Sequence, residues 1–325
     1  MQFKSTKSGD FVLLTEKKPS KRTKTSVFVL LDGIHYLRSP IQTRMFDNHN
    51  HSQFSFDGWR TSVEDSARAA LSRGFSGIAF TDHCDFFIPE AKIQAGNIVS
   101  ETFDVKLQQA EIDRVQTLLD REGGVSTGAG LKILKGIEVG MHENHHEDIR
   151  KILSENSFDQ VIASVHYLDG VDPYYGEYYL EKDWKEAYGL YLETILTEMK
   201  WLKDFDIMGH YDYIVRYAPY PQTAVRYRDF SDVLDEMMTF LIHEGKALEI
   251  NTKSYQENKG RLVTLDHEIL RRYRDLGGEI ISLGSDSHDP SRVGNDFNRF
   301  ADLLRSLGFR WTAHYEKRKL VQLPL

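Results

Sequence analysis

The stretch DNHNHSQFSFDG, from Asp47 to Gly58, holds two histidines, His49 and His51, that are two positions apart. Side chains at positions i and i+2 share one face of a β-strand, whereas on an α-helix they diverge by roughly 200°. The spacing therefore predicts that both imidazoles project together from the end of a strand. Taken alone, the pattern also fits two polar histidines near a turn, so the rest of the chain has to decide between these interpretations.

The bulk composition bounds the class of protein. The chain has 325 residues, of which 40% are hydrophobic, which is enough to bury the core of one large α/β domain or two smaller ones. It contains a single cysteine, Cys84, and no apolar run of membrane-spanning length, so we expect a cytoplasmic protein without a membrane segment. The net charge of −8 argues against nucleic acid as a partner and leaves a small molecule as the expected one.

The first 44 residues differ from the remainder, because they carry nine Lys and Arg against three Asp and Glu. Such a basic run is typical of a solvated, poorly ordered tail, and it also fits a nucleic-acid arm. Its apolar stretches would alternatively form a small β appendage. We therefore predict two units, a basic extension over residues 1–44 and a catalytic domain over residues 45–325.

Short apolar segments alternate with amphipathic, helix-like segments over the second unit. The predicted strands are 45–48, 77–80, 133–139, 160–165, 206–209, 247–250 and 279–283. The predicted helices are 62–73, 103–120, 185–202, 231–243, 265–276 and 296–307. This alternation predicts a parallel sheet, and seven strands without a dinucleotide-binding fingerprint favour a barrel. A barrel of this kind places its chemistry at the carboxyl ends of its strands.

Six of the seven predicted strands end in histidine, glutamate or aspartate. The candidate metal ligands are His49, His51, Asp57, His83, Glu138, His166, His210, Asp286 and His288. Singly, each also fits a structural role, such as a core histidine or a turn aspartate, but the repeated placement favours a joint site. Imidazole and carboxylate without thiolate suit Zn²⁺, Mn²⁺ or Fe²⁺. The number of candidates exceeds one tetrahedral ion and fits two or three, as in phosphoester hydrolysis.

Six motifs in this order resemble the PHP (polymerase and histidinol phosphatase) superfamily, most closely its stand-alone histidinol-phosphatases. They are HNHSQFSFDG, FTDHCDF, GIEVG, ASVHYLDG, MGHYDYIVRY and GSDSHDPSRVG. The resemblance implies a single distorted (β/α)₇ TIM-like barrel with a trinuclear metal site. It also implies the hydrolysis of L-histidinol phosphate to L-histidinol and phosphate in histidine biosynthesis.

The resemblance further distributes the candidate ligands over three ions. The first ion would take His49, His51, Glu138 and Asp286. Glu138 would bridge to a second ion held by His166 and His210, and the third ion would take Asp57, His83 and His288. Asp57 departs from relatives that have histidine at this position, and its oxygen favours a harder ion such as Mn²⁺ or Fe²⁺.

Three residues are candidates for catalysis, namely Asp286, His83 and Arg216. The planar guanidinium of Arg216 suits phosphate, and Arg292 is a second candidate for the same role. The amine and imidazole of the substrate need acidic, polar or aromatic partners. The candidates at strand ends are Asp85, Asp212, Tyr167 and Asn251.

Two other functions remain open at this point. One is a PHP phosphoesterase or exonuclease acting on nucleotides or another small phosphomonoester, and the other is a PHP module with a purely structural role. The acidic character of the catalytic unit weighs against long polyanions, because phosphate contacts need lysine and arginine. A competent ligand at every motif position weighs against the structural module.

The two-unit prediction has a direct test. We expect a chain that begins at Met45 to keep full phosphatase activity, because every candidate ligand lies beyond residue 44. The measurement is phosphate release by the shortened and the full-length chain at equal concentration. An insoluble or inactive shortened chain would contradict the prediction.

Overall fold

A computed structural model describes residues 45–89, 100–122, 130–168, 170–257 and 260–325 of the chain. The prediction for residues 1–44 lies outside this range. Within it, apolar side chains from strands and surrounding helices form one large buried cluster.

Seven strands form a parallel sheet that curves into a nearly closed barrel. They are β1 (Phe46–Asn50), β2 (Gly77–Phe80), β4 (Lys132–Gly140), β5 (Gln160–Ser164), β6 (Ile207–Met208), β7 (Ala247–Asn251) and β8 (Ile281–Gly284). A short strand β3 (His83–Cys84) pairs with the far end of β4. The described strands thus follow the order β1-β2-β4-β5-β6-β7-β8, and consecutive pairs are joined by helices on the outside, as parallel pairing requires.

The barrel closes between β8 and β1 through polar contacts instead of a regular ladder. The Asp47 carboxylate accepts hydrogen bonds from the amides of Ser285 (2.9 Å) and Gly294 (2.7 Å). Just beyond β1, the amide of His51 donates to the carbonyl of Ser287 at 2.9 Å. This irregular seam brings the ends of the first and last strands together, and with them two histidines and Asp286.

The described helices are α1 (Val63–Ser72), α2 (Val105–Glu122), α3 (His146–Glu155), α4 (Trp184–Leu202), α5 (Tyr213–Tyr217), α6 (Ser231–Glu244), α7 (His267–Asp275) and α8 (Phe297–Ser306). Helix α1 shows how the sequence sets their ends. The Ser62 hydroxyl caps its amino end by accepting from the Asp65 amide at 3.0 Å, and Gly74 follows its carboxyl end with φ of +78°. No described helix combines the length and apolarity needed to cross a bilayer.

An antiparallel hairpin of β9 (Trp311–Glu316) and β10 (Lys319–Pro324) covers the amino end of the barrel. Its two turn residues, Lys317 and Arg318, both have positive φ, as a two-residue hairpin turn requires. The Arg318 side chain donates to Asp206, which precedes β6. The hairpin therefore seals the end of the barrel away from the candidate ligands.

The predicted fold is confirmed as a (β/α)₇ TIM-like barrel. Each predicted strand is present with its bounds shifted by no more than two residues, as in β1, which runs from Phe46 to Asn50. The carboxyl-terminal hairpin was missed, because its short alternating pattern follows the last predicted helix without any repeat to mark it.

Candidate active site and metal centre

The carboxylate of Glu138 lies at the centre of the carboxyl-end face of the barrel and is surrounded by five imidazoles. Strand β4 supplies it, and the side chain is fully buried. The ring nitrogens that contact its two oxygens belong to His83 (2.9 Å), His210 (3.1 Å), His49 (3.3 Å), His166 (3.3 Å) and His51 (3.5 Å). The five histidines come from four strands: His49 lies in β1 and His51 directly follows it, His83 lies in β3, His166 follows β5 and His210 follows β6.

Three of these imidazoles have their second ring nitrogen fixed by an oxygen. The Nδ1 atom of His49 lies 2.7 Å from Glu249, and that of His166 lies 3.0 Å from Asp85. The Nδ1 atom of His51 lies 2.9 Å from the Ser55 hydroxyl, which in turn donates to Asp82. Because each Nδ1 donates to an oxygen, the neutral form of each imidazole has its lone pair on Nε2, the atom that faces the Glu138 carboxylate.

Asp286, Asp57 and His288 complete the cluster next to His51. The imidazole of His51 stacks on His288 with ring centroids 4.1 Å apart, and its Nε2 atom lies 3.4 Å from Asp286. The Asp57 carboxylate lies 3.0 Å from His288. Asp286 adopts a positive φ of 48°, a left-handed backbone conformation that is uncommon for a non-glycine residue and often marks a functional site.

The arrangement fits divalent metal ions. Buried ring nitrogens of His49, His51 and His83 and one oxygen of Glu138 converge without a hydrogen bond between them. Lone-pair atoms that face one another in this way are stabilised by a shared cation. Among the residues that the structure describes, four groups of three donors lie close enough to hold an ion, and every donor in them is imidazole or carboxylate. This donor set suits Zn²⁺, Mn²⁺ and Fe²⁺.

The ionisation states of the two central carboxylates and of His51 also favour a metal site. Burial opposes ionisation of Glu138 and Asp286, yet the pKa of each lies well below its ordinary value because surrounding imidazoles, and Lys253 at Asp286, favour the anion. Burial and the charges of His288 and His83 lower the pKa of His51 well below its ordinary value. The carboxylates are therefore anionic and His51 is neutral at pH 7, which are the forms that bind metals. Burial disfavours the charged form of His49 and His166, but Glu138, with Glu249 at His49 and Asp85 at His166, raises the pKa of both imidazoles well above the ordinary value, so a metal would bind there in exchange for a proton.

All nine candidate ligands lie in one cluster, but their grouping leaves the predicted assignment to three ions open. One group of close donors is His49, His51 and Asp286, which are three of the four ligands of the first predicted ion, whereas Glu138 groups with His49 and His210. His83 groups with Glu138 and His166, and also with His51 and His288. His83 thus lies between the second and third predicted sites, and the division of ligands among ions stays a prediction.

A cavity of about 530 Å³ opens above the cluster, within the size range of small-molecule sites. Its described wall contains three predicted substrate residues, Arg216, Asp85 and Tyr167. Arg216 is buried and donates to Asp286 at 3.0 Å. Asp85 holds His166, as described above, so its carboxylate is already engaged with a candidate ligand.

The other predicted substrate residues lie elsewhere. Asp212 and Asn251 are buried behind the described wall of the cavity, where Asp212 accepts from Ser254 and Asn251 donates to Asp286. Arg292 is exposed, donates to Gln256, and lines smaller clefts beside the main one. Asp212 and Asn251 therefore reach the described wall only through Ser254 and Asp286, which contact Arg216, whereas the partner of Arg292, Gln256, does not line the main cavity.

Sequence reasoning missed four residues of the site. Lys253 lines the cavity and donates to Asp286 at 3.0 Å, and Glu249 lies beneath the metal ligands. Glu249 had a signal, because it alternates with Asn251 in the otherwise apolar strand β7. Glu101 and Asp172 also line the cavity, but they lie on long loops away from the strand ends, where no pattern marks them.

The sequence pattern of the PHP domain family matches residues 47–253. The chain belongs to this family. It is 30% identical over 274 residues to the "Probable histidinol-phosphatase" of Clostridium acetobutylicum, a match that covers 84% of this chain and 98% of the relative. It is likewise 30% identical over 278 residues to the "Histidinol-phosphatase" of Lactococcus lactis, a match that covers 85% and 96%.

The similarity to histidinol-phosphatases extends to the three-dimensional structure, because one crystal structure shares this fold. It is that of histidinol phosphate phosphatase from Lactococcus lactis in complex with zinc, L-histidinol and phosphate. The TM-score is 0.73 at 28% identity, over 86% of this chain and 99% of that one. The expected family is therefore confirmed.

Glu138 offers the sharpest test of the metal centre. We expect Glu138→Gln to lower metal affinity by more than about 100-fold, because changes one shell further out already cost 10- to 100-fold. Metal content measured by plasma mass spectrometry after gel filtration checks this. The control is Glu143→Gln, because Glu143 is exposed just after the same strand. Equal metal content in wild type and Glu138→Gln would contradict the prediction.

Proposed function

We propose that this protein is a divalent-metal-dependent phosphomonoesterase that hydrolyses L-histidinol phosphate to L-histidinol and phosphate, a step of histidine biosynthesis. The observation that carries the proposal is the cluster of imidazoles around Glu138 at the floor of a cavity with both basic and acidic walls. Family membership and the similarity to histidinol-phosphatases over most of the chain support it. We place the activity in residues 45–325.

The nine candidate ligands would hold two or three ions, and Zn²⁺, Mn²⁺ and Fe²⁺ are the metals that their chemistry suits. When bound, such ions acidify water and neutralise charge on phosphoryl oxygens. The carboxylates that would hold them are anionic, and His49, His51 and His166 each direct Nε2, which carries the lone pair in the neutral imidazole, toward the same centre. The chain thus positions the groups that would bind the ions before the substrate arrives.

The phosphate would bind at the basic part of the wall. Arg216 follows β6 and Lys253 follows β7, and both side chains line the cavity and reach the carboxylate of Asp286. Arg216 and Lys253 would turn toward a bound phosphate if the charge of Asp286 were engaged by an ion. The guanidinium of Arg216 is held by the Ser254 hydroxyl at 2.8 Å, so its orientation is fixed before the substrate arrives.

The organic half of the substrate would bind at a second part of the wall. Glu101 accepts a hydrogen bond from Tyr167 at 2.6 Å, and Asp172 accepts one from Tyr213 at 2.9 Å. These acids belong to the loops after β3 and β5, whereas Arg216 and Lys253 follow β6 and β7. Acidic and aromatic groups on a separate arc suit an ammonium group and an imidazole, which a simple sugar or alkyl phosphate lacks.

A nucleotide phosphoesterase is the second candidate. Exposed aromatic side chains at the cavity, such as Trp59 and Tyr174, are able to stack on a base. The acids Glu101 and Asp172 disfavour it, because they would lie close to an already anionic substrate.

A substrate panel separates the two candidates. We expect phosphate release from L-histidinol phosphate to exceed that from AMP or phenyl phosphate by about 100-fold in kcat/KM, because two independent contacts of about 1.4 kcal/mol each give that factor. The assay is run with Zn²⁺ and with Mn²⁺, and with chelator as the blank. A preference for AMP would overturn the histidinol phosphate proposal while keeping the phosphatase class.

Recognition of the substrate amine by the acidic part of the cavity wall can be tested separately. We expect Asp172→Asn to raise the KM for L-histidinol phosphate about tenfold, which corresponds to about 1.4 kcal/mol, and to leave phenyl phosphate hydrolysis unchanged. The amine is absent from phenyl phosphate, so the difference between the two substrates isolates its contact. Asp120→Asn, a change on the outer helix α2, is the control. An equal effect on both substrates would contradict recognition of the amine by Asp172.

A further inference from the structure

Glu249 is a buried carboxylate beneath the metal ligands. It belongs to β7, is 1% exposed, and makes three contacts with hydrogen-bond donors. One oxygen lies 2.7 Å from Nδ1 of His49, and the other accepts from the backbone amide of His210 at 2.8 Å and from the amide of Asn251 at 3.4 Å. None of these donors is a lysine or an arginine, so the position is costly for a carboxylate that does nothing else.

The contact with His49 fixes which ring nitrogen carries the proton. A carboxylate only accepts hydrogen bonds, so Nδ1 of His49 must be the protonated nitrogen. In the neutral imidazole, which is the form that binds a metal, the lone pair is then on Nε2, and this atom lies 3.3 Å from the Glu138 carboxylate without a hydrogen bond. Glu249 thereby determines that His49 presents a ligand atom, and not an N–H group, to the metal centre.

The backbone around Glu249 is shaped to admit this pair. A Cβ atom at Gly284, on the paired strand β8, would lie 2.3 Å from the Glu249 carboxylate and 2.5 Å from Cβ of His49. Any larger residue at this position would push one partner away. The second oxygen of Glu249 also holds the main chain at His210, so one carboxylate supports two candidate ligands from different strands.

We propose that Glu249 is the positioning residue of the metal centre, which orients His49 through its Nδ1–H group and His210 through its amide. The proposal rests on the metal-binding part of the proposed function and is independent of the substrate. Its consequence is that removing the charge of Glu249 weakens metal binding even though Glu249 is not itself a ligand.

Glu249→Gln tests this with little change of shape. The amide of glutamine supplies one acceptor oxygen for two donors, so its NH₂ group faces either Nδ1–H of His49 or the amide of His210. We expect a 10- to 100-fold loss of Zn²⁺ affinity in chelator competition, which is the range for second-shell changes. We also expect fewer ions per chain by plasma mass spectrometry and a changed visible spectrum of the Co²⁺-substituted protein.

Asp206→Asn is the matched control. Asp206 is also a buried barrel carboxylate, 4% exposed, but it accepts from the Val161 amide and Arg318 at the opposite end of the barrel. We expect it to lower the melting temperature without altering Zn²⁺ affinity. If Glu249→Gln does not fold, Glu249→Asp keeps the charge but shortens its reach, and the same affinity loss is expected.

Normal Zn²⁺ affinity and stoichiometry in a folded Glu249 variant, with only a lower melting temperature, would overturn the proposal. These readouts need no phosphatase substrate. A protein that binds metal through Glu249-dependent His49 but releases no phosphate from L-histidinol phosphate would refute the proposed function alone.

Discussion

The contact between the Glu138 carboxylate and five imidazoles is the constraint on which the rest of the site depends. Each imidazole lies within 3.5 Å of an oxygen of Glu138, and all these side chains are buried or nearly so. Converging donor atoms of this kind repel one another unless protons or cations lie between them. The barrel must therefore hold the strand ends rigidly, and the polar seam formed by Asp47 helps to do so by tying β1 to the end of β8.

Small residues at the strand ends make this density of side chains possible. Gly209 lies so close to Ser164 that an added Cβ would be 2.1 Å from the serine hydroxyl, which donates to Glu138 at 2.7 Å. Gly284 plays the same part for Glu249 and His49. The two glycines thus leave space for side chains that hydrogen-bond to the candidate ligands. Close packing of the strand ends and orientation of the ligands therefore depend on the same two positions.

The sequence predicted the barrel and the ligand cluster because both follow from local periodicity. Strands such as β2 and β7 are short apolar runs, and parallel strands in a barrel end on one face, so polar residues after them must meet. The acidic residues of the cavity wall were harder to predict, because Asp172 and Glu101 lie on loops whose conformations depend on tertiary contacts. Asp212 lies after β6 and Asn251 ends β7, close to the predicted positions. Their side chains nevertheless point behind the cavity wall, and the sequence periodicity does not predict the direction of a side chain at a strand end.

The metal centre and the substrate cavity share their charges through Asp286. Its carboxylate contacts His51 on the floor and Arg216 and Lys253 on the wall, so it belongs to both parts of the site. Without a metal its negative charge is balanced by these cations, and their pull lowers the pKa of Asp286 well below its ordinary range despite burial. An ion held by His51 and Asp286 would compete for the same charge. Binding of that ion and the availability of Arg216 and Lys253 for the proposed phosphate contact would therefore be coupled electrostatically.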